Sequence, residues 1–88
     1  MPETTVEIVN RAGMHARPAS EFVKLAGRFT AEVWVEKDGI RANGKSIMGV
    51  LMLAAECGSN LRIETNGDDA TDALAALEDL VARGFEED

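Results

Sequence analysis

Alternating hydrophobic and polar positions predict four short β-strands. Every second residue is apolar, or nearly so, in residues 4–9, 31–36 and 61–65, which is the pattern of strands with one buried face. Asp38-Gly39, a pair typical of two-residue hairpin turns, follows the second of these segments. We therefore expect a short third strand at residues 40–42 that pairs back on the second.

Hydrophobic positions spaced three and four residues apart predict three helices. The first spans residues 16–27 and begins close to His15, because Pro18 fits only in a first helical turn. The second spans residues 47–55, with Ser46 as its N-cap.

The third helix lies near the end of the chain. It follows Asp68 or Asp69, either of which suits an N-cap, and Gly84 ends it as Gly58 ends the second helix. The buried stripe consists of Ala70, Ala73, Leu74, Leu77, Leu80 and Val81.

The resulting order, β-α-β-β-α-β-α, predicts an α+β fold. Strands with alternating patterns keep one face in water, so all the helices should cover the other face of an antiparallel sheet. The pattern leaves the strand order open. A ferredoxin-like sheet and other open-faced two-layer sandwiches both fit.

Length and charge narrow the classes of function. The chain has 88 residues, enough for one domain (1–88) and too few for two independent cores. Nine Lys and Arg against 16 Asp and Glu give a net charge of −7, which argues against binding nucleic acid or anionic membranes. No apolar run approaches the roughly 18 residues of a membrane span, so we expect a cytoplasmic protein, and by default a monomer.

The chain has one cysteine, Cys57, and one histidine, His15. A single cysteine cannot form an internal disulfide, and one Cys with one His cannot complete the four-ligand set of a structural zinc. We expect no metal and no cofactor, and we expect the Cys57 thiol to be packed at the end of the second helix.

His15 lies at the predicted start of the first helix, within Gly13-Met14-His15-Ala16-Arg17-Pro18-Ala19. The first turn of a helix carries unpaired amides and partial positive charge, and since Pro18 has no N–H, the nearest donors are the amides of Ala16 and Arg17. These surroundings favour a neutral, nucleophilic imidazole and stabilise an anion once it is attached, a phosphoryl group most of all. On these residues alone, a His15 that serves only as a cap or surface residue is an open alternative.

Residues 13–19 and the motif Lys45-Ser46-Ile47-Met48-Gly49-Val50 resemble the HPr family of phosphocarriers of the bacterial sugar phosphotransferase system. The resemblance covers essentially the whole chain. It implies an HPr-like open-faced β-sandwich, in which three helices cover one face of a four-stranded antiparallel sheet. It also implies that His15 takes a phosphoryl group on Nδ1 from phosphorylated enzyme I, which phosphoenolpyruvate charges, and that Arg17 neutralises this phosphate. The group would pass to a IIA component of a sugar permease, so the chain would be a carrier and not an enzyme.

Two further roles follow from the resemblance. Ser46 matches the serine that HPr kinase/phosphorylase phosphorylates, and a phosphate there would slow transfer from enzyme I by adding negative charge. Val50, Leu53 and Ala54 can supply the buried stripe of the second helix. A partner-docking patch, with Lys24 at its rim, would consist of Ile47, Met48 and Leu51.

Two other functions stay open on the sequence. A regulatory binding module would use phosphorylation of Ser46 to control docking, and a ferredoxin-like ligand-binding domain would keep His15 for structure alone. A first strand beside the fourth favours the HPr arrangement, whereas central first and third strands favour the ferredoxin-like one. The chain departs from many relatives at Ala12, where they carry a polar residue, and it ends in an acidic segment, residues 86–88, that we expect to be frayed.

Overall fold

Four strands form one antiparallel sheet, and three helices cover the face that carries its apolar side chains. The structure is a computed structural model and describes residues 2–86. The elements are β1 (Glu3–Glu7), α1 (Ala16–Ala26), β2 (Glu32–Lys37), β3 (Ile40–Asn43), α2 (Ile47–Met52), β4 (Asn60–Asn66) and α3 (Ala70–Ala82), followed by a 3-10 turn at Gly84–Glu86. The predicted α+β order is confirmed.

The strand order is β1-β4-β2-β3, and every neighbouring pair is antiparallel. Because β4 and β2 lie in the centre, the ferredoxin-like arrangement with central first and third strands is wrong. The predicted hairpin is confirmed: Lys37 pairs with Ile40, and both Asp38 (φ 52°) and Gly39 (φ 81°) adopt the left-handed conformation of its two-residue turn.

An arginine on the open face of the sheet joins its three neighbouring strands β1, β4 and β2. Arg62 of β4 donates to both carboxylate oxygens of Glu3 in β1, at 3.0 and 2.9 Å, and to Glu36 of β2 at 2.7 Å. A fork of this kind is directional, so it favours the observed register of the edge strand β1.

α2 is shorter than predicted. It ends at Met52, three residues before the predicted end at Ala55, and the chain then passes through Ala54 in the left-handed conformation (φ 49°). Leu53 and Ala55 stay buried after the helix has ended, whereas Ala54 is exposed and does not belong to the buried stripe. Gly58 does not end the helix either, since it lies in the next turn, where its amide donates to the Ile8 carbonyl at 2.7 Å.

α3 begins after Asp69 as predicted, but the Asp69 side chain does not cap it. Its carboxylate instead accepts the amides of Thr30 at 2.9 Å and Ala31 at 2.8 Å, together with the Thr30 hydroxyl at 3.2 Å. The Thr30 amide is the main reason that the pKa of Asp69 lies below its usual value. The start of α3 is thereby tied to the start of β2.

The chain does not fray directly after α3. Phe85, in the left-handed conformation (φ 57°), places its side chain in the core and is only 4% exposed. Glu86 forms an ion pair with Arg83 at 2.7 Å, so the prediction of a frayed end is wrong for this residue. Residues 87 and 88 of the predicted acidic segment lie outside the described residues.

Candidate functional site

His15 is the N-cap of α1. Its backbone is extended (φ −89°, ψ −167°), and its carbonyl accepts the Ala19 amide at 2.9 Å, the first hydrogen bond of the helix. The side chain is exposed and makes no capping hydrogen bond to α1. The imidazole therefore lies at the positive end of a helix on the protein surface, as the sequence predicted.

The first turn of α1 has no acidic residue that would offset this positive end. Ala16 and Arg17 are exposed in that turn, and Pro18 is buried. By helix geometry the amides of Ala16 and Arg17 point out of the helix end, toward the side on which His15 lies. The predicted phosphate-binding residues are thus together in one helical turn.

The loop that leads to His15 is held by a distant segment of the chain. The Met14 amide donates to the Ala55 carbonyl at 2.7 Å, and the Met14 side chain is buried. Gly13 (φ 70°) passes so close to this segment that a Cβ on it would lie 2.5 Å from the Ala55 oxygen. This contact was not predicted from the sequence, and the glycine before Met14 was the only local signal of a close approach.

Ser46 is the N-cap of α2, as predicted. Its Oγ accepts the Gly49 amide at 3.2 Å, and its carbonyl accepts the Val50 amide at 3.0 Å. The Nζ of Lys45 donates to the Phe29 carbonyl at 2.7 Å.

The residues of the predicted docking patch differ in exposure, and their docking role stays a prediction. Ile47 and Met48 are exposed, by 41% and 65%. Leu51 is half-buried and packs against the core, so only part of its side chain reaches the surface. Met52 was not among the predicted residues but is 75% exposed, and its spacing of four residues from Met48 was the available signal. We call Ile47, Met48 and Met52 the α2 patch, and α2 packs against α1.

Lys24 lies near the other end of α1. It is exposed and lines a shallow groove between α1 and the end of α3 together with Arg28, Leu80 and Arg83. Its place at the rim of the α2 patch stays a prediction.

Cys57 is exposed, so the prediction of a packed thiol at a helix end is wrong. Because α2 ends five residues earlier, Cys57 lies in a turn, where its Sγ is 3.8 Å from the Val9 carbonyl oxygen. Among residues 2–86 there is no group of three or more His, Cys, Asp and Glu side chains that could hold a metal ion, and no helix there is long and apolar enough to cross a membrane.

Comparison with known proteins shows to which family the chain belongs. Residues 2–83 match a family model described as the PTS HPr component phosphorylation site. This chain is 46% identical over 87 residues to the phosphocarrier protein HPr of Neisseria meningitidis. The aligned residues cover 99% of this chain and 98% of that relative.

Solved structures agree with this assignment. A crystal structure of HPr from Thermoanaerobacter tengcongensis superimposes with a TM-score of 0.96 at 44% identity, covering 100% of this chain and 99% of the other. A second structure from that organism, described as an HPr dimer, has a TM-score of 0.77 at 45% identity. The match covers 97% of this chain and 98% of the other. The class is that of small phosphorylated carriers built on an open-faced β-sandwich. The chain belongs to the HPr family, whose members are phosphocarrier proteins of the phosphotransferase system and not enzymes.

Proposed function

We propose that His15 carries the phosphoryl group. The Nδ1 lone pair attacks the phosphorus of phosphorylated enzyme I, so that a new N–P bond forms while the bond to the donor breaks and the donor keeps that electron pair. A IIA component of a sugar permease then takes the group in the same way. The observation that carries this proposal is the exposed imidazole at the N-cap of α1, in a chain that has no other histidine.

The end of α1 supplies the stabilisation that the carried phosphate needs. The amides of Ala16 and Arg17 and the Arg17 guanidinium are the groups that we assign to the phosphate oxygens. Helix-end and guanidinium interactions stabilise an anion without forming a bond to it, so the group stays transferable. Ala12 offers no side-chain donor, which leaves this role to the helix end.

Phosphorylation of the purified chain tests the proposal. Incubation with enzyme I and radiolabelled phosphoenolpyruvate should give a label that is lost in acid and stable in base. The label should be absent from His15→Ala and present in the control Ser46→Ala. A label that survives His15→Ala contradicts the proposal.

We also propose a regulatory phosphorylation at Ser46 by HPr kinase/phosphorylase. The hydroxyl already accepts the Gly49 amide at 3.2 Å, so a phosphate oxygen can take its place at the start of α2. A phosphate would place about two negative charges beside Ile47 and Met48. Transfer from enzyme I should then be slower in Ser46→Asp than in Ser46→Ala, and equal rates would contradict the regulatory role.

The α2 patch is proposed as the docking surface for enzyme I and IIA components, with Lys24 adding charge. Exposed methionines adapt to several partners, which suits a carrier with more than one. Met48→Asp and Lys24→Glu should raise the KM for phosphoryl transfer. Ile40→Asp is a matched control, because Ile40 is 57% exposed at the hairpin end of β3, where it pairs with Lys37. We place this exchange in the cytoplasm, with the chain as a monomer, and elution as a dimer from a sizing column would contradict the monomer.

A further inference from the structure

A buried asparagine closes the turn before α1. Asn10 is only 1% exposed, and its Nδ2 donates a hydrogen bond to the Gly13 carbonyl at 2.7 Å. The Gly13 amide donates in return to the Asn10 carbonyl at 3.1 Å. These two bonds close the turn over residues 10–13 and leave the Gly13 carbonyl little freedom to rotate.

The same carbonyl holds the backbone of His15. The His15 amide donates to the Gly13 oxygen at 3.0 Å, while the His15 carbonyl accepts the Ala19 amide at 2.9 Å. Both backbone polar groups of His15 are therefore bonded, one to the loop and one to α1. A continuous line of hydrogen bonds runs from the buried carboxamide of Asn10 to the residue at the N-cap.

We propose that Asn10 is a positioning residue for phosphoryl transfer. Its carboxamide fixes the Gly13 carbonyl, which in turn keeps the His15 backbone where the first-turn amides of α1 lie beside the imidazole. The inference rests on the proposed function of His15 and deepens it, since it assigns part of the transfer rate to a side chain buried beneath the site. Group transfer is sensitive to such placement, because a shift of about 1 Å in a reacting group can cost about 100-fold in rate.

The loop should stay folded without this side chain. The Met14 amide keeps its bond to the Ala55 carbonyl at 2.7 Å, and the Met14 side chain stays in the core. Loss of the Asn10 donor therefore loosens His15 and does not release the whole loop. We expect a loss in rate of about tenfold, less than the largest effects of misplacement.

Two variants of Asn10 test the inference. Asn10→Ala removes the donor, and Asn10→Leu keeps the shape of the side chain but has no polar atom that can donate to a carbonyl. With enzyme I and phosphoenolpyruvate, kcat for phosphorylation should fall about tenfold in both, while KM stays within about twofold because the α2 patch is unchanged. Exchange of the His15 amide hydrogen, followed by NMR, should become faster in both variants.

Ile63→Val is the control for stability alone, since Ile63 is fully buried in β4 and the change removes one methyl group without touching the loop. It should leave both kcat and the exchange of the His15 amide as in the wild type. An equal loss of kcat in Ile63→Val, a change confined to KM, or wild-type kcat in both Asn10 variants overturns the inference. If the wild-type chain itself takes no phosphoryl group, the proposed function fails and the inference with it. If the wild type is labelled and the Asn10 variants keep its kcat, only the inference fails.

Discussion

Substitution of Gly13 by alanine should destabilise the protein more than substitution of any freely exposed turn glycine. Gly13 has φ 70°, and a Cβ added to it would lie 2.5 Å from the Ala55 oxygen and 2.9 Å from Glu56 Cα. Both are backbone atoms, so neither can move aside by rotation of a side chain. The Ala55 carbonyl also accepts the Met14 amide at 2.7 Å, so a shift that relieves the clash weakens that bond.

Gly39 provides the matched comparison. Its φ of 81° is also left-handed, but a Cβ there would meet nothing within 4 Å. Each substitution should cost about 1 kcal/mol for placing an L-residue in this conformation. At Gly13 we add about 1 kcal/mol for the weakened hydrogen bond and about 1 kcal/mol for displaced backbone. The expected losses are about 3 kcal/mol for Gly13→Ala and about 1 kcal/mol for Gly39→Ala.

Urea unfolding measures this difference. The fluorescence of Trp34, the only tryptophan, reports on the sheet. With an m-value of about 1 kcal/mol/M, the midpoint of Gly13→Ala should lie about 2 M below that of Gly39→Ala. Gly13→Ala should also slow phosphorylation of His15, whereas Gly39→Ala should not. Equal midpoints would refute the close approach of the loop to Ala55 as a source of stability.

Three further predictions concern stability. Asp69→Asn should lower Tm at pH 7, because the Asp69 carboxylate contributes stability only while it is ionised. The difference in Tm between the variant and the wild type should shrink as the pH falls through the lowered pKa of Asp69. Phe85→Ala should cost about 3–4 kcal/mol in thermal unfolding, because it empties a site in the core, whereas Met52→Ala, at 75% exposed, should change stability by less than about 0.5 kcal/mol. Ser46→Ala should cost about 1 kcal/mol by loss of the N-cap, and no loss would contradict that role.

The hydrophobic pattern predicted the elements well wherever burial alone determines them. All four strands and all three α-helices of residues 2–86 were predicted, because alternation and helical periodicity record which side chains face the core. The predicted end of α2 was wrong because the pattern records only burial. Leu53 and Ala55 are buried whether the chain continues as a helix or turns away, so an apolar run cannot show where the helix stops. Phe85 was missed because Gly84 was interpreted only as a stop, while the aromatic residue after it folds back into the core.

The position of the reactive side chain, His15, was also easier to predict than the contacts that hold its loop. The position of His15 at the start of α1 follows from Pro18 three residues later, which is local information. The bond between Met14 and Ala55 joins residues 41 positions apart, so Gly13 indicates a close approach of the backbone but nothing in either segment indicates the partner. The sequence does not indicate the role of Asn10 either, since an asparagine in a loop is expected whether or not its side chain is buried.

The early end of α2 and the placement of His15 have one structural cause. Beyond β1 the chain continues to bond to the segment after α2: the Gly58 amide donates to Ile8 at 2.7 Å, and the Met14 amide donates to Ala55 at 2.7 Å. A helix that continued through Ala55 would carry the Ala55 carbonyl and the Gly58 amide along its own axis and away from the loop. The left-handed Ala54 costs about 1 kcal/mol, and the two hydrogen bonds that it permits, worth about 1 kcal/mol each, offset that cost. The loop that carries His15 is therefore an extension of the pairing between β1 and β4, and its position depends on that pairing as much as on α1.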